Sequence, residues 1–397
     1  MVTQETHTKQ HTLKLIAGGK DYFTTLVNML HLAVDTIYIQ TYIFNDDETG
    51  KLVTNALIEA ANRNVKVYVL VDGFASQGLG KTWIKNISNH GIQFHFFEPI
   101  FKSSHYYFGR RMHQKVICID AKFVLIGGMN IADRYNDLPH RSAWLDFAVK
   151  IEGKIVSEIT AYCKAFWDQC ANSENNLNIT SISALAVDKQ VEKNDVRLRI
   201  NDWTAHKNEI SNTYLEMFRY AKKDIVILCS YFIPGKAIRR AMAAASKRGI
   251  CIKIITAGPT DIYITKLAER WLYDWLLRHQ IVIYEYQKNV LHGKLAVCDQ
   301  SWTTIGSYNI NNISAYASVE LNIDIYDQPF ALQVIHELNE IIAKDCVAIT
   351  KHHHQHNNNW IKQCSRWISF YFIQSLFMLF TFYFKRRLDL PKTRLKK

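Results

Sequence analysis

The feature that most constrains this chain is a pattern written twice. His113, Lys115, Asp120 and Gly127-Gly128-Met129-Asn130 recur as His292, Lys294, Asp299 and Gly306-Ser307-Tyr308-Asn309. In both copies four residues separate Lys from Asp, and six separate Asp from Gly. A lone His-x-Lys arises often by chance, whereas two copies with the same downstream spacing point to internal duplication. The flanks repeat as well. In the first half, residues 37–44, 65–71 and 94–97 read as strands, with helical spacing over 50–63 and 82–90. Residues 112–120 and 123–126 read as a hairpin around Asp120-Ala121-Lys122. In the second half, strands are expected over 225–232, 250–256 and 281–286, and helices over 212–221, 237–248 and 265–278. A second hairpin is expected from 291–298 and 303–305. This alternation predicts α/β layers: two α/β/α sandwich halves related by a pseudo-twofold axis. The expected bounds are 1–180 and 181–350, joined through the polar stretch 171–194 and followed by a tail over 351–397.

The repeated residues suit a phosphodiester. On a strand, positions i and i+2 share a face, so His113 and Lys115 are expected on one side, and His292 and Lys294 likewise. If the halves pack face to face, both faces meet in one cleft. Lys115 and Lys294 could then neutralise non-bridging oxygens, while Asn130, Asn309 and Ser307 donate to them. One imidazole could attack phosphorus to form a phosphohistidine, and the other could protonate the leaving alcohol. Lysines and amides supply the charge stabilisation, so no metal or cofactor is expected. An imidazole used this way needs a partner on its other nitrogen. Asp146 and Glu320, each downstream of a motif and each opening a strand-like run, are the candidates. Asp120 and Asp299 complete the catalytic motifs, although their place at the turn suits them to fix the hairpin rather than to touch substrate.

A formal net charge of +12 favours an anionic partner: nucleic acid, an anionic membrane face or a phosphorylated substrate. Arg110, Arg111 and Lys102 precede the first motif and could meet lipid phosphate or form a solvated rim. Eight cysteines without a CxxC pair predict a reducing compartment, with Cys118, Cys229, Cys251 and Cys298 as small buried hydrophobes. The first residues are polar and do not read as a secretory signal. Near the other end, His352, His353, His354 and His356 form a cluster that could bind metal but reads better as a solvated linker. Residues 367–384 then run without a charge, and nine of these 18 are aromatic. At ~1.5 Å per residue they reach roughly 27 Å, just short of a bilayer core. With basic residues on both sides, an anchor lying in the interface is expected rather than a spanning helix.

The double His-x-Lys-x4-Asp-x6-Gly-(Gly/Ser)-x-Asn pattern resembles the signature of the phospholipase D superfamily over about residues 12–345. Within it, the chain looks like the shorter bacterial cardiolipin synthases. The features that carry this likeness are Tyr42-Ile43-Phe44 with Asp46-Asp47, VLVDGFAS, RRMHQK, IGGMNIADRY, Trp144 with Asp146, and SYFIPG. The resemblance implies a duplicated phospholipase-D fold and two-step transphosphatidylation, with His113 as nucleophile. The reaction expected is cardiolipin formation from two phosphatidylglycerols, and the basic flanks of the tail with no export signal lead us to expect it at the cytoplasmic face of the inner membrane. Hydrolysis of phospholipid and cleavage of nucleic acid are the alternatives for the same site. The aromatic tail argues against nucleic acid as a partner.

Overall fold

The computed structural model describes residues 5–8, 10–99, 110–171, 195–352 and 359–388, with side chains as far as residue 376. The first sheet orders its strands Glu5–His7, His11–Ile16, Ala148–Gly153, Phe123–Gly127, Val116–Ile119, Thr36–Thr41, Lys66–Asp72 and Gln93–Phe97. The second repeats this plan. It runs Lys207–Asn208, Val196–Asp202, Ser318–Ile325, Trp302–Gly306, Lys294–Cys298, Asp224–Cys229, Cys251–Ala257, Val282–Tyr286, and gains Cys346–Ile349 at its far edge. The central strands are buried on both faces because both faces are covered: every residue of Val116–Ile119 and of Ser318–Ile325 is buried, although the second alternates apolar side chains with Ser318, Glu320, Asn322 and Asp324.

Two helices, Ile155–Ala171 and Gln328–Asp345, lie between the sheets. Phe166 and Trp167 from one, and Phe330 and Leu338 from the other, join Leu13, Val149, Leu228 and Ile323 in a core shared by both halves. Each half has a second core on its outer face, one around Phe23, Leu57 and Val69, the other around Tyr214, Met242 and Ile254. The layers are therefore helix, sheet, shared helices, sheet, helix.

The two hairpins are built alike. Asp120 and Ala121 take φ of 54° and 51°, and Asp299 and Gln300 take 49° and 56°. Two left-handed residues in succession make the tight turn whose twist matches paired strands. Asp120 then accepts from the backbone N–H groups of Val34, Asp35 and Thr36 at 2.8–2.9 Å. Asp299 does the same for Lys222, Lys223 and Asp224 at 2.7–3.1 Å. Each motif carboxylate thus ties its turn to the start of the neighbouring strand. These contacts are those expected of residues that fix the hairpin turn.

Three expectations need revision. Residues 112–120 are not one strand. Arg111–Met112 pairs in parallel with Ser318 and Val319 of the other half, whereas Val116–Ile119 pairs within its own sheet. The chain changes partners across residues 113–115, which lie outside any ladder. The expected helix over 265–278 divides into Tyr263–Trp271 and Tyr273–Arg278. Cys251 is exposed, since it opens its strand at the sheet's end, while Cys118, Cys229 and Cys298 are buried. Most of the polar link, residues 172–194, lies outside the described residues.

The tail is helical over Trp360–Leu388. Phe370 and Ile373 pack into a small core with Ile233, Ala268 and Leu272, and Asn312 Nδ2 donates to Gln374 Oε1 at 3.3 Å. Trp360, Ile361, Trp367, Ile368, Tyr371 and Phe372 face outward. Among the described residues, no helix is long and apolar enough to cross a membrane. Of the histidine cluster, only His352 falls within the described residues.

Candidate active site

Both His-x-Lys segments are clamped by the opposite half. The N–H groups of His113 and Gln114 both donate to the carbonyl of Val319, at 2.9 and 3.0 Å. Those of His292 and Gly293 both donate to the carbonyl of Leu145, at 2.7 and 2.9 Å. Val319 and Leu145 immediately precede Glu320 and Asp146. The next residue in each case therefore delivers a carboxylate to the imidazole, Glu320 from within a strand and Asp146 from just before one: His113 Nδ1 lies 2.9 Å from Glu320 Oε2, and His292 Nδ1 lies 2.6 Å from Asp146 Oδ2. A carboxylate only accepts, so Nδ1 carries a proton in both rings and Nε2 is the atom left for chemistry, as a lone pair in the neutral ring or as an N–H in the protonated one. The sequence offered Asp146 and Glu320 as partners. The structure crosses them between halves, because the segment ahead of each carboxylate runs alongside the other half's motif. Reciprocal contacts of this kind are what a twofold relation between the halves produces.

Lys115 Nζ and Lys294 Nζ donate to the carbonyls of His113 and His292 respectively, and Lys294 also lies 3.1 Å from His292 Nδ1. The groups are close enough to act on one another. Burial pulls the Lys115 ammonium down to about 7; the charge of Glu320 opposes this and that of Lys294 adds to it. Burial likewise lowers Lys294. Burial pushes Asp146 up to about 6, against the pull of Lys294. His113 is lowered by burial, opposed by Glu320, and His292 lies well below its ordinary range through burial, Lys294 and Lys115. Four basic side chains thus crowd a dry site with two carboxylates. An arriving phosphodiester would supply the anion that this excess of cationic groups favours.

The remaining candidates are held in more detail than spacing could show. Asn130 accepts from the N–H of Ile43 at 3.0 Å and donates to the Tyr135 hydroxyl at 2.8 Å. Asn309 accepts from Ser230 Oγ at 2.7 Å. Ser307 Oγ donates to Glu320 Oε2 at 2.5 Å, so this hydroxyl holds the carboxylate in place of the phosphate contact expected of it. The counterpart of Ser307 is Gly128, where a Cβ would fall 2.3 Å from Asp146 Oδ1. The difference between the two motif copies follows from how closely each carboxylate approaches. Arg110 and Arg111 are committed elsewhere: Arg110 to Asp202 at 2.7 Å, Arg111 to the Glu98 carbonyl at 3.1 Å and to Asp72 at 3.4 Å. Lys102 lies outside the described residues.

Aromatic rings line the site in a way the sequence reading did not assign. Tyr42 meets His113 edge-on with ring centroids 4.9 Å apart and lies 5.1 Å from Lys115 Nζ. Tyr135 and Trp144 flank His292 at 5.1 and 5.9 Å. Tyr135 sits five residues beyond Asn130 and Trp144 two before Asp146. Their offsets from the motif were the available signal.

Comparison with known proteins finds a family with the same duplicated organisation. The chain matches the family described as cardiolipin synthase, PLD-like domain, in two segments, residues 26–167 and 214–342. It is 31% identical over 347 residues to cardiolipin synthase B of Escherichia coli strain K12, covering 84% of this chain and 81% of that protein. It is 26% identical over 320 residues to a probable cardiolipin synthase of Bacillus subtilis, covering 79% of this chain and 63% of that protein. Among solved structures, the phosphatidylserine synthase of Haemophilus influenzae Rd KW20 superposes with a TM-score of 0.75 at 16% identity, over 96% of each chain. That likeness shows a shared fold, and the two matched segments identify it as a duplicated PLD-like architecture.

Proposed function

The chain belongs to the cardiolipin synthase, PLD-like domain family and is a phospholipid-modifying transferase, and on that premise we propose that it makes cardiolipin from two phosphatidylglycerols through a phosphohistidine. The observation that carries this reading is the reciprocal clamp, in which each imidazole is oriented by a carboxylate of the other half. In the first step His113 Nε2 attacks the phosphorus of one phosphatidylglycerol. The N–P bond forms, the P–O bond to glycerol breaks, and His292 gives its Nε2 proton to the departing oxygen. In the second step the glycerol hydroxyl of another phosphatidylglycerol yields its proton to His292. Its oxygen takes the phosphatidyl group, and the lone pair returns to His113. Lys115 and Lys294 hold the non-bridging oxygens throughout, with no proton transferred to them. Burial of the site favours transfer to alcohol over water.

The tail helix is read as a surface contact with anionic lipid, which supports an enzyme lying at the inner, cytoplasmic membrane face. Phe370 and Ile373 fix it to the catalytic body, and its exposed rings are the kind that gather at a headgroup boundary. Purified protein in detergent micelles containing phosphatidylglycerol tests the reaction, with products read by mass spectrometry and single-stranded DNA assayed in parallel. Cardiolipin and glycerol in equal amounts are expected. Phosphatidic acid alone would make the enzyme a hydrolase, and DNA cleavage without lipid product would overturn the reading.

A further inference from the structure

The two halves share the His, Lys, Asp and Asn of the motif and differ at three positions around the histidines in the same sense. Gln40 pairs with Val116 and Leu228 pairs with Leu295, each partner being the residue after the motif lysine. That register makes Ser230 the counterpart of Tyr42. Five residues beyond the motif asparagines stand Tyr135 and Ser314, and two before the orienting carboxylates stand Trp144 and Ser318. At three positions the first half carries a ring where the second carries a serine. The two histidines therefore occupy unlike surroundings despite the same motif spacing.

The difference reaches the reacting atom. Tyr135 OH lies 3.5 Å from His292 Nε2 and receives the Asn130 amide N–H at 2.8 Å. With that donor already in place, the phenol's own proton is free to point at Nε2. Burial raises the Tyr135 phenol, so it stays protonated. The corresponding Ser314 instead pairs its hydroxyl with the N–H of Asn309 at 3.3 Å and does not reach His113. Among the described residues, no hydrogen bond engages His113 Nε2.

We propose that Tyr135 is a positioning residue that reserves His292 for proton transfer and leaves His113 as the nucleophile. In the neutral ring, the Tyr135 hydroxyl donates to Nε2 and occupies the lone pair that would otherwise attack phosphorus. In the protonated ring the same oxygen can accept from Nε2–H, holding the imidazolium in line with the leaving alcohol. No bond other than N–H and O–H changes at Tyr135. The inference rests on the phosphohistidine reading above and adds what makes the two histidines unequal.

Tyr135→Phe keeps the ring and removes only the hydroxyl. The test is to quench wild-type and Y135F enzyme during turnover of phosphatidylglycerol and to map the phosphoryl adduct by mass spectrometry. The nitrogen-15 shift of His292 Nε2 is recorded for both. The expected result is an adduct confined to His113 in the wild type and divided between His113 and His292 in Y135F. A changed Nε2 shift and a displaced acidic limb of the pH profile should accompany it. An adduct on His113 alone in both proteins, with the shift unmoved, would overturn the role of Tyr135 while leaving the phosphohistidine intact. No adduct on either histidine of the active wild type would remove the underlying reading and this inference with it. Should Y135F fold poorly, the wild-type Nε2 shift still decides: a hydrogen-bonded value supports the proposal, and a free imidazole value contradicts it.

Discussion

Glu320 lies 207 residues from His113 in sequence and 2.9 Å from its Nδ1 in space. Asp146 stands in the same relation to His292. Neither half can hold its own histidine in register, since both the carbonyl that fixes the backbone and the carboxylate that fixes the ring belong to the other half. Duplication here supplies more than a second copy of the motif; it supplies the support each copy lacks.

Glu320→Gln and Asp146→Asn keep the shape and remove the charge that holds the reactive tautomer. Each variant should lower transfer about 10²- to 10⁴-fold while the protein remains folded. Initial rates with phosphatidylglycerol, alongside circular dichroism, provide the check. A rate within about threefold of wild type would show that the crossed pairs do not orient the rings.

The acid and base limbs follow from burial. Asp146 must be ionised to hold His292, and it is pushed up to about 6. Lys115 must be charged to meet phosphate, and it is pulled down to about 7. In the free enzyme, kcat/KM should therefore rise through about 6 and fall above about 7. Measurement across pH 5 to 9 should give a narrow bell, and a flat profile over roughly that range would contradict the account.

The buried lysine costs stability. Between about 7 and its ordinary 10.5, the unfolded chain binds more protons at Lys115 than the folded one, so this group makes stability increase with pH across that window. Below it the folded state carries the full penalty. Lys115 makes no direct ion pair among the described residues, and its ammonium donates to the carbonyl of His113. Lys115→Met should thus be inactive yet more stable at pH 7 by ~1–3 kcal/mol, with the gain shrinking toward pH 10. Urea titrations at both pH values measure this.

Asp120 and Asp299 test the separation of scaffold from chemistry. Each accepts from three backbone N–H groups. Asp120→Asn or Asp299→Asn should cost about 1–3 kcal/mol in stability and leave kcat within a few-fold. Loss of kcat in fully folded protein would return these carboxylates to the catalytic set.

Much of this was legible from spacing alone. The duplicated motif named His113, Lys115, His292 and Lys294, and the turn-forming Asp120 and Asp299 fell where two left-handed residues were needed. The crossing was not legible. Leu145 and Val319 look like ordinary strand residues, and nothing local marks their carbonyls as the clamps of a motif in the other half. Continuous β-propensity hid the break at residues 113–115 as well, because Arg111–Met112 and Val116–Ile119 are both strands that happen to pair with different sheets. Ser307 misled for a related reason. Beside a phosphate motif its hydroxyl suggested substrate, and only the fold brought Glu320 to it.

The central claim is that both halves surround one phosphorus atom. A crystal structure with orthovanadate, which mimics the five-coordinate phosphoryl group, tests it most directly. The account predicts one vanadium per chain, bonded to His113 Nε2 and contacted by Lys115, Lys294 and His292. Two separate vanadates, one at each motif, would contradict it.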